Sequence, residues 1–316
     1  MKTTTWLIAV ALGGAACVPV DKNRNRSAVD TTTAPTALPA PGATHVLSVD
    51  GFRSPESALH DSLQDIYFVS SINGGPLAKD NNGFISRVRP DGVVENLKFI
   101  EGAHNGVTLN APKGLALAGD TLWVADIDVL RAFDAKTGAP LDSISLAPLG
   151  AVFLNDIAVA PTGAVYVTDT GVRFDDVGNM LHPGPDRIFR IGPDRQVTVA
   201  ARGDSLARPN GIALDAAGKR FIVAPLGGKS VLAWKPGDKA PTAIAAGAGS
   251  YDGVVIARGR ILVSSWKDST VSAYETGQEV RLISGVGTAD IGYDAKRNRL
   301  LLPFVDGTRL EIWQLP

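Results

Sequence analysis

The sequence predicts an all-β fold, a six-bladed β-propeller of four-stranded antiparallel blades. Three observations predict it: short apolar runs broken by turns, two internal series that each recur six times, and no long stretch of helical period. The composition agrees, with 45% apolar and 20% charged residues, 34 Gly and 20 Pro in 316 residues, which suits a core threaded by many tight turns.

From Val46 onward the runs are rich in Val, Ile and Leu and separated by Gly, Asp and Pro, as strands joined by turns are. The first series reads Pro55-Glu56-Ser57-Ala58, Pro112-Lys113-Gly114-Leu115-Ala116, Leu154-Asn155-Asp156-Ile157-Ala158, Pro209-Asn210-Gly211-Ile212-Ala213, Tyr251-Asp252-Gly253-Val254 and Ala289-Asp290-Ile291-Gly292. A second series follows in register: Ile85–Val88, Leu130–Phe133, Ile188–Ile191, Val231–Trp234, Val271–Tyr274 and Leu310–Trp313. First-series copies lie 38 to 57 residues apart, the length of one four-stranded blade. The stretch His45 to Val49 is expected to return and complete the last blade.

The chain divides into an export signal at 1–17, a Pro- and Thr-rich linker at 18–43 and the propeller at 44–316. Lys2 followed by a short apolar run from Trp6 to Ala16 reads as the signal, too short to span a bilayer. Cys17, the only cysteine, follows that run as the lipidated residue of a bacterial lipoprotein does; plain cleavage after Ala16 is the alternative. Either way the protein is expected outside the cytoplasm, periplasmic or membrane-anchored through Cys17. One cysteine forms no intramolecular disulfide. A formal net charge of -1 offers no electrostatic footprint for nucleic acid, so the expected partner is a small molecule and the expected state a monomer.

In a propeller the innermost strand of each blade lines a central channel, so the residues that start these strands converge: Glu56, Lys113, Asn155, Asn210, Asp252 and Asp290. Carboxylates gathered on one axis repel and lose hydration, and a hard cation removes both costs. Calcium suits such oxygens, with Glu56 and Asp252 balancing its charge and the amide oxygens of Asn155 and Asn210 adding neutral ligands; another hard divalent cation meets the same argument. Zinc is not expected, since none of the six is His or Cys and the four histidines form no close-spaced cluster.

Pro55-Glu56, Leu154-Asn155-Asp156, Pro209-Asn210-Gly211-Ile212-Ala213, and Asp252-Gly253 with Val254-Val255-Ile256 resemble the regucalcin and gluconolactonase family, related in fold to paraoxonases and diisopropyl-fluorophosphatase. The resemblance spans the chain after Thr44. It implies that Glu56, Asn155, Asn210 and Asp252 ligate calcium and that Asp252 also serves as base or nucleophile in hydrolysis of a lactone or ester. One departure bears on the substrate. Sugar-lactone members carry Arg two residues before the third-blade Asn, where this chain has Phe153.

Other residues have less settled roles. Asp156 either orients a ligand or caps a turn. Lys113 either holds an anionic substrate or pairs with Asp290, and the pair is expected because a buried lysine needs a partner. Blades one and three carry extra residues between their second and third strands, at 70–82 and 168–186, on the face where the inner strands start. The second insertion contains Arg173, Phe174, Asp175, Met180 and His182, a mix suited to gripping a substrate. A competing reading keeps the propeller and its calcium but makes the protein a non-catalytic extracytoplasmic binding module.

Overall fold

The computed structural model describes residues 42–316 apart from 216, 218 and 276; the export signal, Cys17 and most of the linker lie outside the described residues. Six four-stranded antiparallel sheets form the six blades, and a two-stranded hairpin, Arg173–Phe174 with Met180–Leu181, stands apart from them. The innermost strands are Pro55–Asp61, Pro112–Ala118, Leu154–Val159, Pro209–Asp215, Tyr251–Ala257 and Gly292–Asp294. Both six-fold series thus fall where expected, the first at the inner strands and the second on the third strand of every blade.

Strand alternation explains how the blades hold together. Successive side chains point to opposite faces of a sheet, and each face here meets a different neighbour. Ile66 and Phe68 pack toward blade two, whereas Tyr67 and Val69, alternating with them, pack toward blade six. Leu300 and Leu302 likewise face blade five, and Leu301 faces blade one. Six apolar layers result, one per blade interface. A buried side chain such as Phe68 contributes roughly 1.5–3 kcal/mol to its layer.

The ring is closed by the strand that comes first in the chain. Thr44–Asp50 pairs with Arg309–Gln314 and becomes the outermost strand of the sixth blade, as the sequence led us to expect. Polar contacts tie the same seam from the inside. Tyr67 donates to Asp294 Oδ2 at 2.7 Å, Arg297 grips Asp65 at 2.8 and 2.6 Å, and His60 sits between Asp65 and Asp294 at 3.1 and 3.3 Å. His60 is therefore a fastener between blades one and six.

Candidate metal centre

Five of the six inner strands slip register at their first residues. The breaks fall between Pro55 and Ala58, Pro112 and Leu115, Leu154 and Ile157, Pro209 and Gly211, and Tyr251 and Val254. Each bulge contains one axial residue: Glu56, Lys113, Asn155, Asn210 or Asp252. A bulge bends the strand and re-aims a side chain that regular pleating would send into a blade interface. Hydroxyls on the adjacent strand satisfy the displaced N–H groups, from Ser70 to Ser57 at 3.0 Å, Thr168 to Asp156 at 3.0 Å and Ser264 to Gly253 at 2.8 Å. Thr168 and Ser264 then donate to backbone oxygens of the next blade, Asn210 O at 2.6 Å and Ala289 O at 2.9 Å. Glycine follows the axial residue where neighbouring strands come closest: a Cβ on Gly211 would collide with Asp252 O, and one on Gly253 with Ile291 N.

Four buried oxygens from four blades lack any hydrogen-bond partner: Glu56 Oε2, Asn155 Oδ1, Asn210 Oδ1 and Asp252 Oδ1. Their residues are 3–7% exposed. Buried polar atoms are rarely left unpaired, and an orphaned one costs on the order of 1–3 kcal/mol. Two carboxylate and two amide oxygens fit a hard cation such as calcium, and these four are the residues that would hold it. None of the four donor residues is His or Cys, which disfavours an ion seeking nitrogen or sulfur.

Without a cation the site resists ionisation. Burial pushes Glu56 well above the usual carboxylate range, and the charge of Asp252 adds to this while Lys113 opposes it. Burial raises Asp252 to about 6, against the pull of a hydrogen bond from the Trp266 indole N–H to Oδ2 at 2.6 Å. Asp156 is raised to about 7 by burial, although the N–H groups of Ile157 and Ile212 both donate to it at 2.7 Å.

Asp156 and Asp290 occupy a different level from the four oxygens. With Ser57 they line a channel cavity of about 360 Å³ that continues along the inner strands between apolar side chains such as Leu59, Val159 and Ile256. Ser57 donates to Asp290 Oδ2 at 2.5 Å, and burial, then Asp156 and Glu56, hold Asp290 well above its ordinary value. The expected ion pair between Lys113 and Asp290 does not form. The Lys113 ammonium instead donates to Pro76 O at 3.1 Å and Ala111 O at 3.0 Å and lies 4.5 Å from the centre of the Phe153 ring. The blade-one insertion supplies Pro76, so Lys113 is saturated by backbone and an aromatic face. Burial lowers it to about 8, with Glu56 as its strongest charged neighbour.

The blade-three insertion reaches the same mouth through aromatic contact. The rings of Phe153 and Phe174 meet edge to face at 6.4 Å. Arg173 pairs with Leu181 and Phe174 with Met180 across the hairpin. Cross-strand partners share a face, so Phe174 and Met180 look toward Phe153 while Arg173 takes the other side. Asp175 accepts from the N–H groups of Val177 and Asn179 and shapes the turn. His182 Nε2 lies 2.6 Å from Asp186 Oδ1, and Asp186 Oδ2 accepts from Arg208 N, two residues before Asn210. His182 thus braces the hairpin base.

Two contributors escaped sequence reasoning. Asp169 accepts from the N–H groups of Val152, Phe153 and Gly171 and pairs with Arg187 at 3.1 Å, which fixes the approach to Asn155. Trp266 fills the slot after the second strand of blade five, its backbone N–H bonded to Ser250 O as the backbone N–H of Ile72 bonds to Ser54 O, that of Thr170 to Phe153 O and that of Leu226 to Arg208 O. Aligning second-strand ends would have exposed an aromatic N–H beside an axial acid.

The family model described as the SMP-30/gluconolactonase/LRE-like region matches residues 82–284, and the chain belongs to that family. Among solved structures it resembles a gluconolactonase from Xanthomonas campestris, with 19% identity over 90% of this chain and 99% of that one and a TM-score of 0.63. It also resembles a luciferin-regenerating enzyme, with 14% identity over 87% and 94% of the two chains and a TM-score of 0.64. A chain of a nidogen/laminin complex shares 19% identity over 71% of this chain and 78% of that one, with a TM-score of 0.53. At these identities the likenesses show a common fold. No curated protein matches the sequence.

Proposed function

We propose that the protein is a calcium-dependent hydrolase of a lactone or ester, working outside the cytoplasm as a soluble or Cys17-anchored monomer. Family membership supports lactonase-type hydrolysis. The observation that carries the metal assignment is the set of four partnerless oxygens on Glu56, Asn155, Asn210 and Asp252. When bound there, calcium supplies a Lewis acid for the substrate carbonyl.

The chain supplies the rest. Asp252 has one oxygen tied to Trp266 and the other without a donor, so its carboxylate is held in one orientation. It either takes the proton of an attacking water or attacks the carbonyl itself. Lys113 offsets part of the negative charge beside Glu56, which keeps two carboxylates tolerable at one end of the channel. Backbone carbonyls and Phe153 absorb its ammonium, which argues against a role in seizing an anionic substrate.

Metal analysis of the purified protein, joined to a panel of lactones, aryl esters and phosphotriesters, tests the proposal. One calcium per chain with turnover of a lactone or ester is the expected result, and Asp252→Asn should lower turnover at least about a thousandfold while the fold persists. Calcium binding with no turnover across the panel would leave a structural ion and end the enzymatic reading.

A further inference from the structure

Three of the polar groups named above are already spent. Lys113 is taken by Pro76 O, Ala111 O and the Phe153 face, the Trp266 N–H by Asp252, and Asp169 by three backbone N–H groups and Arg187. Of the other partnerless buried atoms among the described residues, Ser71 Oγ, Asn82 Oδ1 and Asp128 Oδ1 belong to blades one and two and none to blade three. A substrate rich in hydroxyls would find no free hydrogen-bonding partner in these groups.

What blade three offers is hydrocarbon. Phe153 stands two residues before Asn155, one of the four oxygen donors, and its ring touches that of Phe174. Phe174 and its cross-strand partner Met180 are 37% and 47% exposed. Adjacent apolar side chains at the mouth of a site with a few polar groups suit an apolar part of a ligand.

We infer that the substrate carries a hydrocarbon substituent, an alkyl or aryl group on the lactone ring or the acyl part of an ester, and that Phe174 and Met180 receive it. The inference rests on the hydrolase reading for its carbonyl and on the hairpin for its substituent. Ring contact leads from Phe153, two residues before the donor Asn155, to Phe174 on the hairpin.

Non-hydrolysable ketones separate the two claims. Calorimetric Kd values of the calcium-loaded full-length protein are measured for cyclopentanone and 2-hexylcyclopentanone, and hydrolysis of γ-decanolactone is followed alongside. Each buried methylene tightens binding about fourfold, so the hexyl ketone should bind at least about 30-fold more tightly. Phe174→Ser and Met180→Ser should each erase about tenfold of that preference with Tm unchanged, and Phe174→Leu should retain it. Equal Kd values for the two ketones, or a preference indifferent to Phe174→Ser, would overturn the inference. Preference without hydrolysis would spare the apolar wall and remove the hydrolase, whereas hydrolysis without preference would do the reverse. Sedimentation of the same variants examines a rival occupant, a second copy of the chain: a dimer lost in Phe174→Ser while ketone binding is unaltered would count against the wall.

Discussion

The indole N–H of Trp266 donates to Asp252 Oδ2 at 2.6 Å, and Oδ1 of the same carboxylate has no donor. One oxygen is fixed by protein and the other is left for a cation or a reacting group. The bond also holds Asp252 below the value that burial alone would give it. A hydrogen bond to a charged group is worth about 1.5–3 kcal/mol. Trp266→Phe should therefore lower kcat/KM about 10- to 100-fold and move the acid limb of the pH profile upward. An unmoved acid limb would reduce Trp266 to packing.

Asn210 permits a test with opposite signs in two conditions. Its Oδ1 is buried and unpaired, so in chelator Asn210→Leu should match or exceed the wild-type Tm, removing an orphan worth about 1–3 kcal/mol. The rise in Tm on adding calcium should shrink or vanish in the same variant. A variant that loses stability in chelator and keeps the full calcium increment would mean that Asn210 Oδ1 has a structural partner.

The site was partly legible in the sequence because repetition makes geometry countable. Glu56, Asn155, Asn210 and Asp252 could be stacked on one axis from their place in six copies, and the structure leaves an oxygen of each without a partner. Asp290 belongs to the same series but lies with Ser57 and Asp156 along the channel, because the inner strand of its blade starts late, at Gly292. Lys113 departs from the expected ion pair for a different reason. A chain-distant carboxylate could be named as its partner from the sequence, whereas the backbone oxygens of Pro76 and Ala111 depend on how an insertion folds. Asp169 acts through hydrogen bonds that composition and spacing do not encode, and Trp266 stands out only when the ends of the second strands are aligned.

Stability in chelator should depend on pH in a stated direction. Asp252 at about 6 and Asp156 at about 7 both lie above the roughly 3.9 of an aspartate in an unfolded chain. A raised native value favours the protonated form, so this contribution is complete below about pH 4 and lost as pH climbs through about 6 to 7. Tm in chelator should fall between pH 5 and pH 8. Calcium competes with those protons, so its increment in Tm should grow over the same range; a flat chelator curve would deny the buried acids this role.

Asp169 is a positioning residue through its three backbone N–H partners and Arg187. Breaking a buried pair of this kind costs about 3–5 kcal/mol. Asp126 makes the comparable set in blade two, with Asn110 N, Ala111 N and Arg131. Asp169→Ala and Asp126→Ala should lose similar stability, yet Asp169→Ala should weaken calcium more, because only its loop leads into a donor residue. Equal calcium affinities in the two variants would break the link between Asp169 and Asn155.

If four oxygens from four blades hold one calcium ion, calorimetric titration of chelator-stripped protein should read it out. One calcium per chain should bind at pH 7.5, more weakly at pH 5.5, and the binding heat should be lost in Asp252→Asn and Asn210→Leu. No saturable heat in the wild type, or binding unchanged in both variants, would contradict it.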